Sequence, residues 1–349
     1  MTTKLLNVAV LVGGPSSEHY LSQRSGETIL ANINKDRYTC TLLNWSQDGW
    51  VDESLPSQPK QVTKRHANIL AAFAEPKHFD IVMNMLHGEI ECDGRLQGMF
   101  ELISLPYTGN GRVSSFNGMN KIISKSIVRA AGFLTADWFA FTRKEIISGR
   151  VDIKKKALAF GYPLVVKAST GGSSNSTILV DNESELLAAI DTLSLVYDEL
   201  YLEYFLTGLE YTVSVFGDAG TKRSMTLPVA RIAYEGRMFD APIKKGELYD
   251  IVFPSGLVTS EELKLRQMAE QIHADFRFNA FSRVDFRFSE GQPYFLEVNT
   301  HPGFAQRSVV PLMLSAGGIS LDSAIDWLIE NGLNRNAKGA TSNHSARVD

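Results

Sequence analysis

Four polar residues interrupt an apolar stretch late in the chain: Arg283, Asp285, Glu297 and Asn299, within SRVDFRFSEGQPYFLEVNTHPG at residues 282–303. Two carboxylates and an amide supply hard oxygen ligands, the donor set that suits Mg²⁺. An arginine beside them adds a permanently charged fork for an anion. Strand side chains alternate faces with a period of two. Arg283 and Asp285 therefore share one face of the first strand, opposite Val284, Phe286 and Phe288. Glu297 and Asn299 share one face of the second, opposite Tyr294, Leu296 and Val298. A three-residue turn, Ser289-Glu290-Gly291, with Gly left-handed in third position, predicts Asp285 opposite Phe295 and Arg283 opposite Glu297, all four polar groups on one face. A two-residue turn splits them between faces. Taken alone, the pattern fits equally well a solvated face with an Arg283–Glu297 surface salt bridge. The irregular loop Asn299-Thr300-His301-Pro302-Gly303 directly after the acids favours a functional reading, because loops on a rigid scaffold often carry function.

The elements that must position these groups alternate. Residues 7–12 (NVAVLV) read as a strand buried on both faces, followed by a helix from Ser17-Glu18. A strand near 38–45, a helix near 65–75, a strand near 79–86, a helix from Gly94 to Leu102 and a short strand in LPYTGNG complete an open α/β sheet. Ligands of such sheets sit at the carboxyl ends of strands, where Glu18 and His87 fall. Glu18 reads equally as a first-turn acid that favours the helix dipole. A helix near 117–131 opens a smaller α/β lid. There Lys167 ends the strand LVVK and leads into Gly171-Gly172-Ser173-Ser174, either an anion-binding nest or an ordinary hairpin turn. A long helix after Thr259, the opening hairpin and helices near 308–316 and 320–331 follow. The divisions are 1–118, 119–205 and 206–334, with a polar tail, 335–349, expected to be disordered.

Composition bounds the function. The 349 residues are 44% hydrophobic, enough for sizeable cores, and 35 Lys+Arg against 39 Asp+Glu give a net charge of −4. That balance argues against a bulk nucleic-acid or membrane-surface binder. Two cysteines, Cys40 and Cys92, make a disulfide framework unlikely and favour a reducing compartment. The start has a short apolar run and no signal-peptide features, and reads as the first strand of a cytoplasmic protein. No GxxxxGK[ST] and no strand-linked GxGxxG occurs.

RVDF…YFLEVNTHPGF resembles the metal-binding signature of ATP-grasp ligases, in particular the D-alanine–D-alanine ligases. VLVGGPSSEHYLSQRSG, LHGEIECDGRLQGMFELISLPYTGNG, KASTGGSSNS, LEYFLTGLEYTV and EVNTHPGFAQRSVVPLM occur in that family's order and cover almost the whole chain. The resemblance implies an ATP-grasp fold, an N-terminal open parallel sheet with two α+β subdomains sandwiching ATP. It implies that ATP phosphorylates one amino acid's carboxylate and that a second amino acid's amine attacks the acyl phosphate. It assigns Mg²⁺ (two ions, with Mn²⁺ as a substitute) to Asp285, Glu297 and Asn299. Lys121, Lys167 and Lys244 go to the phosphates, Ser174 to the phosphate loop, Glu203 to the adenine and Glu210 to the ribose. Arg283 stabilises the oxyanion. Glu18, hydrogen-bonded by Ser173, anchors the first amino acid's ammonium beside His87. Ser308 and the N–H of Val309, at a helix start after the Gly303 loop, suit the second carboxylate. A homodimer is implied by the resemblance alone.

Four departures stand out. The family's Gly-Glu-Asp-Gly reads Glu91-Cys92-Asp93-Gly94, with Cys92 as a small apolar filler. In FDAPIKKG (Phe239–Gly246) Lys244 is kept, but the tyrosine that closes over the first substrate is Lys245, and another aromatic is Ala241. Asn175-Ser176 replaces a hydrophobe and Gly, and Asn120 replaces an Asp. A cation at Lys245 suits a substrate carboxylate or a pair with Glu18, which points to altered amino-acid selectivity, as in a specialised dipeptide or peptide-antibiotic ligase. A non-catalytic nucleotide binder is disfavoured by retention of the metal and phosphate residues. The loop 171–174 and the segment 240–255 are expected to be mobile lids.

Overall fold

The computed structural model describes residues 5–46, 49–53, 61–74, 79–88, 92–149, 152–219 and 223–344. The first layer comprises β1 (Leu6–Gly13), α1 (His19–Asn32), β2 (Tyr38–Ser46), β3 (Gly49–Glu53), β4 (Val62–His66), α2 (Ile69–Ala74), β5 (Ile81–Asn84) and α3 (Arg95–Leu102). The sheet order is β4-β3-β2-β1-β5, with β1 parallel to both β2 and β5. Val8 to Leu11 are fully buried, as a continuous apolar strand covered on both faces requires. The helix expected near 65–75 starts only at Ile69, because VTKRH forms the antiparallel edge strand β4 instead. The LPYTGNG strand is reduced to a single bridge, Val82 to Tyr107.

α4 (Arg112–Met119) and α5 (Lys121–Ala130) occupy the stretch expected as one helix near 117–131. They break at Asn120, whose extended backbone ends one helix while its side chain accepts from Ile123 N to cap the next, the usual task of an N-cap Asn. The second sheet, ordered β6-β9-β7-β8, contains β6 (Trp138–Thr142), α6 (Arg143–Ile147), α7 (Ile153–Phe160), β7 (Leu164–Ala168), β8 (Thr177–Val180), α8 (Glu183–Ser194) and β9 (Glu199–Tyr204). The third is built from β10 (Leu209–Asp218), β11 (Arg223–Thr226), β12 (Ala230–Tyr234), α9 (Ala241–Lys245), β13 (Tyr249–Val252), α10 (Thr259–Asp275), β14 (Phe281–Ser289) and β15 (Gln292–Asn299). Its order is β13-β12-β10-β14-β15, with β11 on β10.

α11 (Val309–Ala316) and α12 (Leu321–His344) close the chain. Their apolar residues Val310, Met313, Ile325, Leu328 and Ile329 share one core with Val8, Val10 and Val12 of β1 and with Phe216 and Phe281 of the third sheet. One core thus ties the first sheet to the hairpin. Within the tail expected to be disordered, 335–349, helical backbone continues to His344, and residues 345–349 lie outside the described residues. Once nucleated, a helix adds residues at little cost. Among the described residues no single helix is long and apolar enough to cross a membrane.

Candidate active site

The hairpin β14–β15 departs from the expected register. Ser289 pairs with Gln292, so the turn is the two-residue Glu290-Gly291. Both residues have positive φ, 50° and 72°, as a type I′ turn demands. Simple parity would then split the polar groups. An extra residue restores them: Phe286 faces Phe295 but Asp285 faces Glu297, leaving Leu296 as a bulge, and Arg283 faces Asn299. A bulge inserts one unpaired residue and shifts the phase of everything beyond it.

The polar face is tightly knit. Arg283 Nε and Nη2 donate to Asp285 Oδ1 and Oδ2 at 2.9 and 2.8 Å. Thr212 of β10 donates to Oδ1 at 2.6 Å, and Asn299 Nδ2 to Oδ2 at 3.0 Å. Lys121 Nζ lies 3.8 Å from Glu297 Oε2 and donates to Gly171 O at 2.6 Å. Burial pushes Glu297 up, but Lys121, Lys244, Lys167 and Arg283 outweigh it and hold the carboxylate below its usual range. Among the described residues no cluster of three or more His, Cys, Asp or Glu forms a metal site. What the hairpin offers is two facing carboxylates and an amide, a hard-oxygen set that fits Mg²⁺ and matches no thiolate or imidazole metal.

This face floors a cleft of about 730 Å³, measured to the open solvent, between the second and third sheets. Lys121, Lys167, Ser174, Glu203, Glu210, Lys244, Asp285 and Glu297 all line it. Glu203 sits between two lysines, with Lys167 Nζ 2.5 Å from Oε1 and Lys125 Nζ 2.6 Å from Oε2. Burial alone would raise its pKa; the two ammoniums instead hold it at about 2. Glu203 therefore anchors two cations. Glu210 accepts from Arg287 and Tyr234. Lys244 rests over the Phe239 ring, 4.6 Å from its centroid.

A second group of expected residues gathers on α1. Ser173 donates to Glu18, the residue before that helix. Ser25, one face further along, contacts His87 Nε2 at 3.2 Å and accepts from Phe304 N at 3.1 Å. Burial, and then neighbouring His301, bring the His87 pKa down to about 3, so the ring is neutral. A methyl at Gly303 would lie 3.2 Å from Ser308 Oγ and 3.4 Å from Leu21 of α1. Ser308 precedes α11, which begins at Val309. Lys245 stands apart. It is exposed, and pairs with neither Glu18 nor any other acid among the described residues.

Models of the D-ala D-ala ligase N-terminus and C-terminus match residues 7–110 and 127–330. The chain belongs to the D-alanine–D-alanine ligase family. The D-alanine–D-alanine ligase of Clostridium botulinum is 31% identical over 329 residues, 94% of this chain and 99% of that protein. That of Nitrosomonas europaea is 32% identical over 326 residues, 93% and 96% of the two chains. Among solved structures, the Bacillus anthracis D-alanine–D-alanine ligase complexed with ATP has a TM-score of 0.76 at 26% identity, covering 97% of this chain and all (100%) of that one. The Coxiella burnetii ligase, at 24% identity, shares the fold with a TM-score of 0.83 over 98% of each chain. The architecture is ATP-grasp, of mixed α/β class.

Within this family frame the departures find local explanations. Glu91 lies outside the described residues. Cys92 is buried and donates to Leu86 O at 3.8 Å, a filler's environment. Asn175 donates to Ser17 Oγ at 3.3 Å, and Ser174 Oγ donates to Phe239 O at 2.9 Å. With the Ser173–Glu18 bond, these contacts hold the loop 171–174 against both flanking regions. Ser173 and Ser174 take positive φ, 51° and 57°, a conformation that costs non-glycine residues energy and persists where contacts enforce it. Sequence reasoning missed Lys125, Thr212, Tyr234 and Arg287. Two of these carried a signal. Lys125 follows Lys121 by four residues, one turn along the buried face of α5, and Arg287 shares the parity of Arg283 and Asp285.

Proposed function

We propose that this chain is an ATP-dependent ligase that joins two amino acids through an acyl phosphate, D-alanyl-D-alanine being the simplest product. The observation that carries the reading is the convergence of Lys121, Lys167 and Lys244 on the acids Asp285 and Glu297 inside one closed-over cleft. Cations opposite a hard-oxygen set suit a triphosphate and its metal. Names of relatives over nearly the full length support the substrate.

In this reading Asp285, Glu297 and Asn299 hold Mg²⁺, whose role when bound is to neutralise phosphate charge. Lys121, Lys167 and Lys244 hold the phosphate oxygens, and Ser174 closes over them. Glu203 of β9, already committed to Lys125 and Lys167, serves the adenine end, and Glu210 takes the ribose. Glu18 binds the first ammonium, with its first oxygen held by Ser173 and its second beside Gly172. Arg283 is held in plane by Asp285 and offers charge to the oxyanion that develops on attack. Neutral His87 borders the first amino acid, and Ser308 and Val309 receive the second carboxylate. The loop around residues 171–174 excludes water from the acyl phosphate. The enzyme acts in the cytoplasm and pairs as a homodimer.

Lys245, exposed and with no acid partner among the described residues, favours one second reading, in which the same chemistry serves other amino acids and Lys245 meets a substrate carboxylate. One assay tests both: Mg²⁺-dependent phosphate release over a broad panel of amino acids, with product masses. Release with D-alanine alone and a D-alanyl-D-alanine mass supports the first reading. Faster release with another pair supports the second. No release with any pair refutes the ligase.

A further inference from the structure

Glu210 of β10 lies directly opposite Arg287 of β14 in the sheet. One of its oxygens takes every bond: Arg287 Nη2 donates to Oε2 at 2.6 Å and the Tyr234 hydroxyl donates to the same atom at 2.9 Å. The two donors also touch each other, Arg287 Nη2 to the Tyr234 oxygen at 2.8 Å. Oε1 makes no hydrogen bond among the described residues, and the residue lines the cleft. Both donors are themselves fixed. Arg287 is 5% exposed and reaches the backbone carbonyl of Leu206 with Nη1 at 3.3 Å. The Tyr234 ring stacks on Phe239 at 5.2 Å and 19°, and Phe239 in turn accepts from Ser174 of the phosphate loop.

We propose that Tyr234 and Arg287 are positioning residues that aim Glu210 Oε1 into the cleft and so make the site select nucleotides with a full set of sugar hydroxyls. A carboxylate free to rotate presents either oxygen and tolerates several sugars. One with Oε2 saturated presents a single acceptor in a fixed place. A deoxy sugar then leaves a part-buried charged acceptor without its donor, which costs far more than a lost bond in water. The bland alternative is a structural ion pair that joins β10 to β14 and has no bearing on the sugar.

This inference rests on the cleft being a nucleotide site. The test measures equilibrium dissociation constants for ATP and 2′-deoxyATP on the full chain, with Mg²⁺, for wild type, Tyr234→Phe and Arg287→Met. Wild type is expected to favour ATP by roughly tenfold or more, the loss typical of a hydrogen bond to a charged group. Tyr234→Phe keeps the ring stack and is expected to reduce that ratio by about threefold, the loss of one neutral donor; Arg287→Met is expected to remove most of it. A purely structural pair weakens both nucleotides equally and leaves the ratio unchanged, which overturns the proposal. Should Arg287→Met fail to fold, Tyr234→Phe alone decides. A wild type that binds both nucleotides equally sinks this inference and leaves the ligase reading standing, whereas one that binds neither sinks both.

Discussion

Replacing Lys125 by Met tests the electrostatic centre of the cleft. The Lys125 side chain is 1% exposed and its partner Glu203 6%. Its ammonium also donates to Thr135 Oγ1 at 2.8 Å. Removing one member of a buried ion pair costs about 3–5 kcal/mol, because the other charge stays behind. Here Lys167 still holds the opposite oxygen at 2.5 Å, so the lower figure, about 3 kcal/mol, applies. At roughly 2–4 °C per kcal/mol the melting temperature should fall by roughly 6–12 °C. A functional effect follows from the same geometry. Glu203, left with one cation, draws Lys167 away from the phosphates, so KM for ATP should rise more than KM for the amino acid. Thermal melting and steady-state kinetics on Lys125→Met, Glu203→Gln and the double variant read both effects. Neutralising both partners removes the stranded charge, so the double variant should be more stable than the sum of the single losses by about 1–3 kcal/mol. Single losses below about 1 kcal/mol, or additivity within about 0.5 kcal/mol, would refute the reasoning.

Asp285→Ala and Glu297→Ala should abolish phosphate release while changing the melting temperature by only a few degrees; unfolding in place of inactivity would mark the acids as structural. Gly291 has φ 72° with nothing within 4 Å of an added Cβ. Gly291→Ala should therefore cost about 1–2 kcal/mol from backbone strain alone, and a denaturation midpoint equal to wild type contradicts the type I′ turn. Conversely Glu290→Asn, a residue that tolerates positive φ, should stabilise the hairpin by a few tenths of a kcal/mol. Acid should destabilise the protein through His87. Its folded pKa of about 3 lies below the ordinary 6.5, so the unfolded chain gains the proton first. Its share of stability is full above pH 6.5 and is lost as pH falls toward 3, at about 1.4 kcal/mol per pH unit. Urea denaturation across that range should show a shallower pH slope for His87→Gln; an unchanged slope excludes the assignment.

Much of this site was legible because its chemistry is written in short motifs at element ends. Glu18 and His87 follow strands, Lys167 is the penultimate residue of β7, and the hairpin acids alternate as strand residues must. What stayed hidden depends on partners distant in the chain. Lys125 meets Glu203 across 78 residues, and no local pattern reports such a meeting; the pairing of Glu18 with Ser173 across 155 residues was expected only through the family resemblance. A lone Lys reads as a solvated surface group, so Lys125 shows its role only once Glu203 is packed against it. The stretch from residue 335 to His344, with residues 345–349 lying outside the described residues, differs from its expectation for the opposite reason. Its polar composition argues against a core, yet it continues a helix whose preceding turns are already packed.

The hairpin shows how a correct conclusion can rest on a wrong register. Parity counting required a three-residue turn to bring Arg283, Asp285, Glu297 and Asn299 together. The chain instead makes a two-residue turn and recovers the phase with a bulge at Leu296. The alternatives are not equivalent. The expected register sets Asp285 opposite Phe295 and Arg283 opposite Glu297, leaving the two carboxylates staggered. The observed one sets Asp285 directly across from Glu297 and Arg283 across from Asn299. Directly opposed side chains lie within about 4.5–5.5 Å at Cβ, close enough for both acids to address one cation. Like charges so placed repel each other, and the arrangement stands because Lys121, Lys244, Lys167 and Arg283 surround Glu297. The bulge therefore places the acids where they are costly to hold, and the lysines of the cleft make that position tenable. Deleting Leu296 should remove the bulge and leave a plain two-residue hairpin in which Asp285 still faces Glu297 and Arg283 still faces Asn299. Phosphate release should therefore survive that deletion, whereas deleting Val298, which lies between Glu297 and Asn299, should turn Asn299 to the opposite face and weaken it; loss of activity on deleting Leu296 in a folded protein would refute the phase argument.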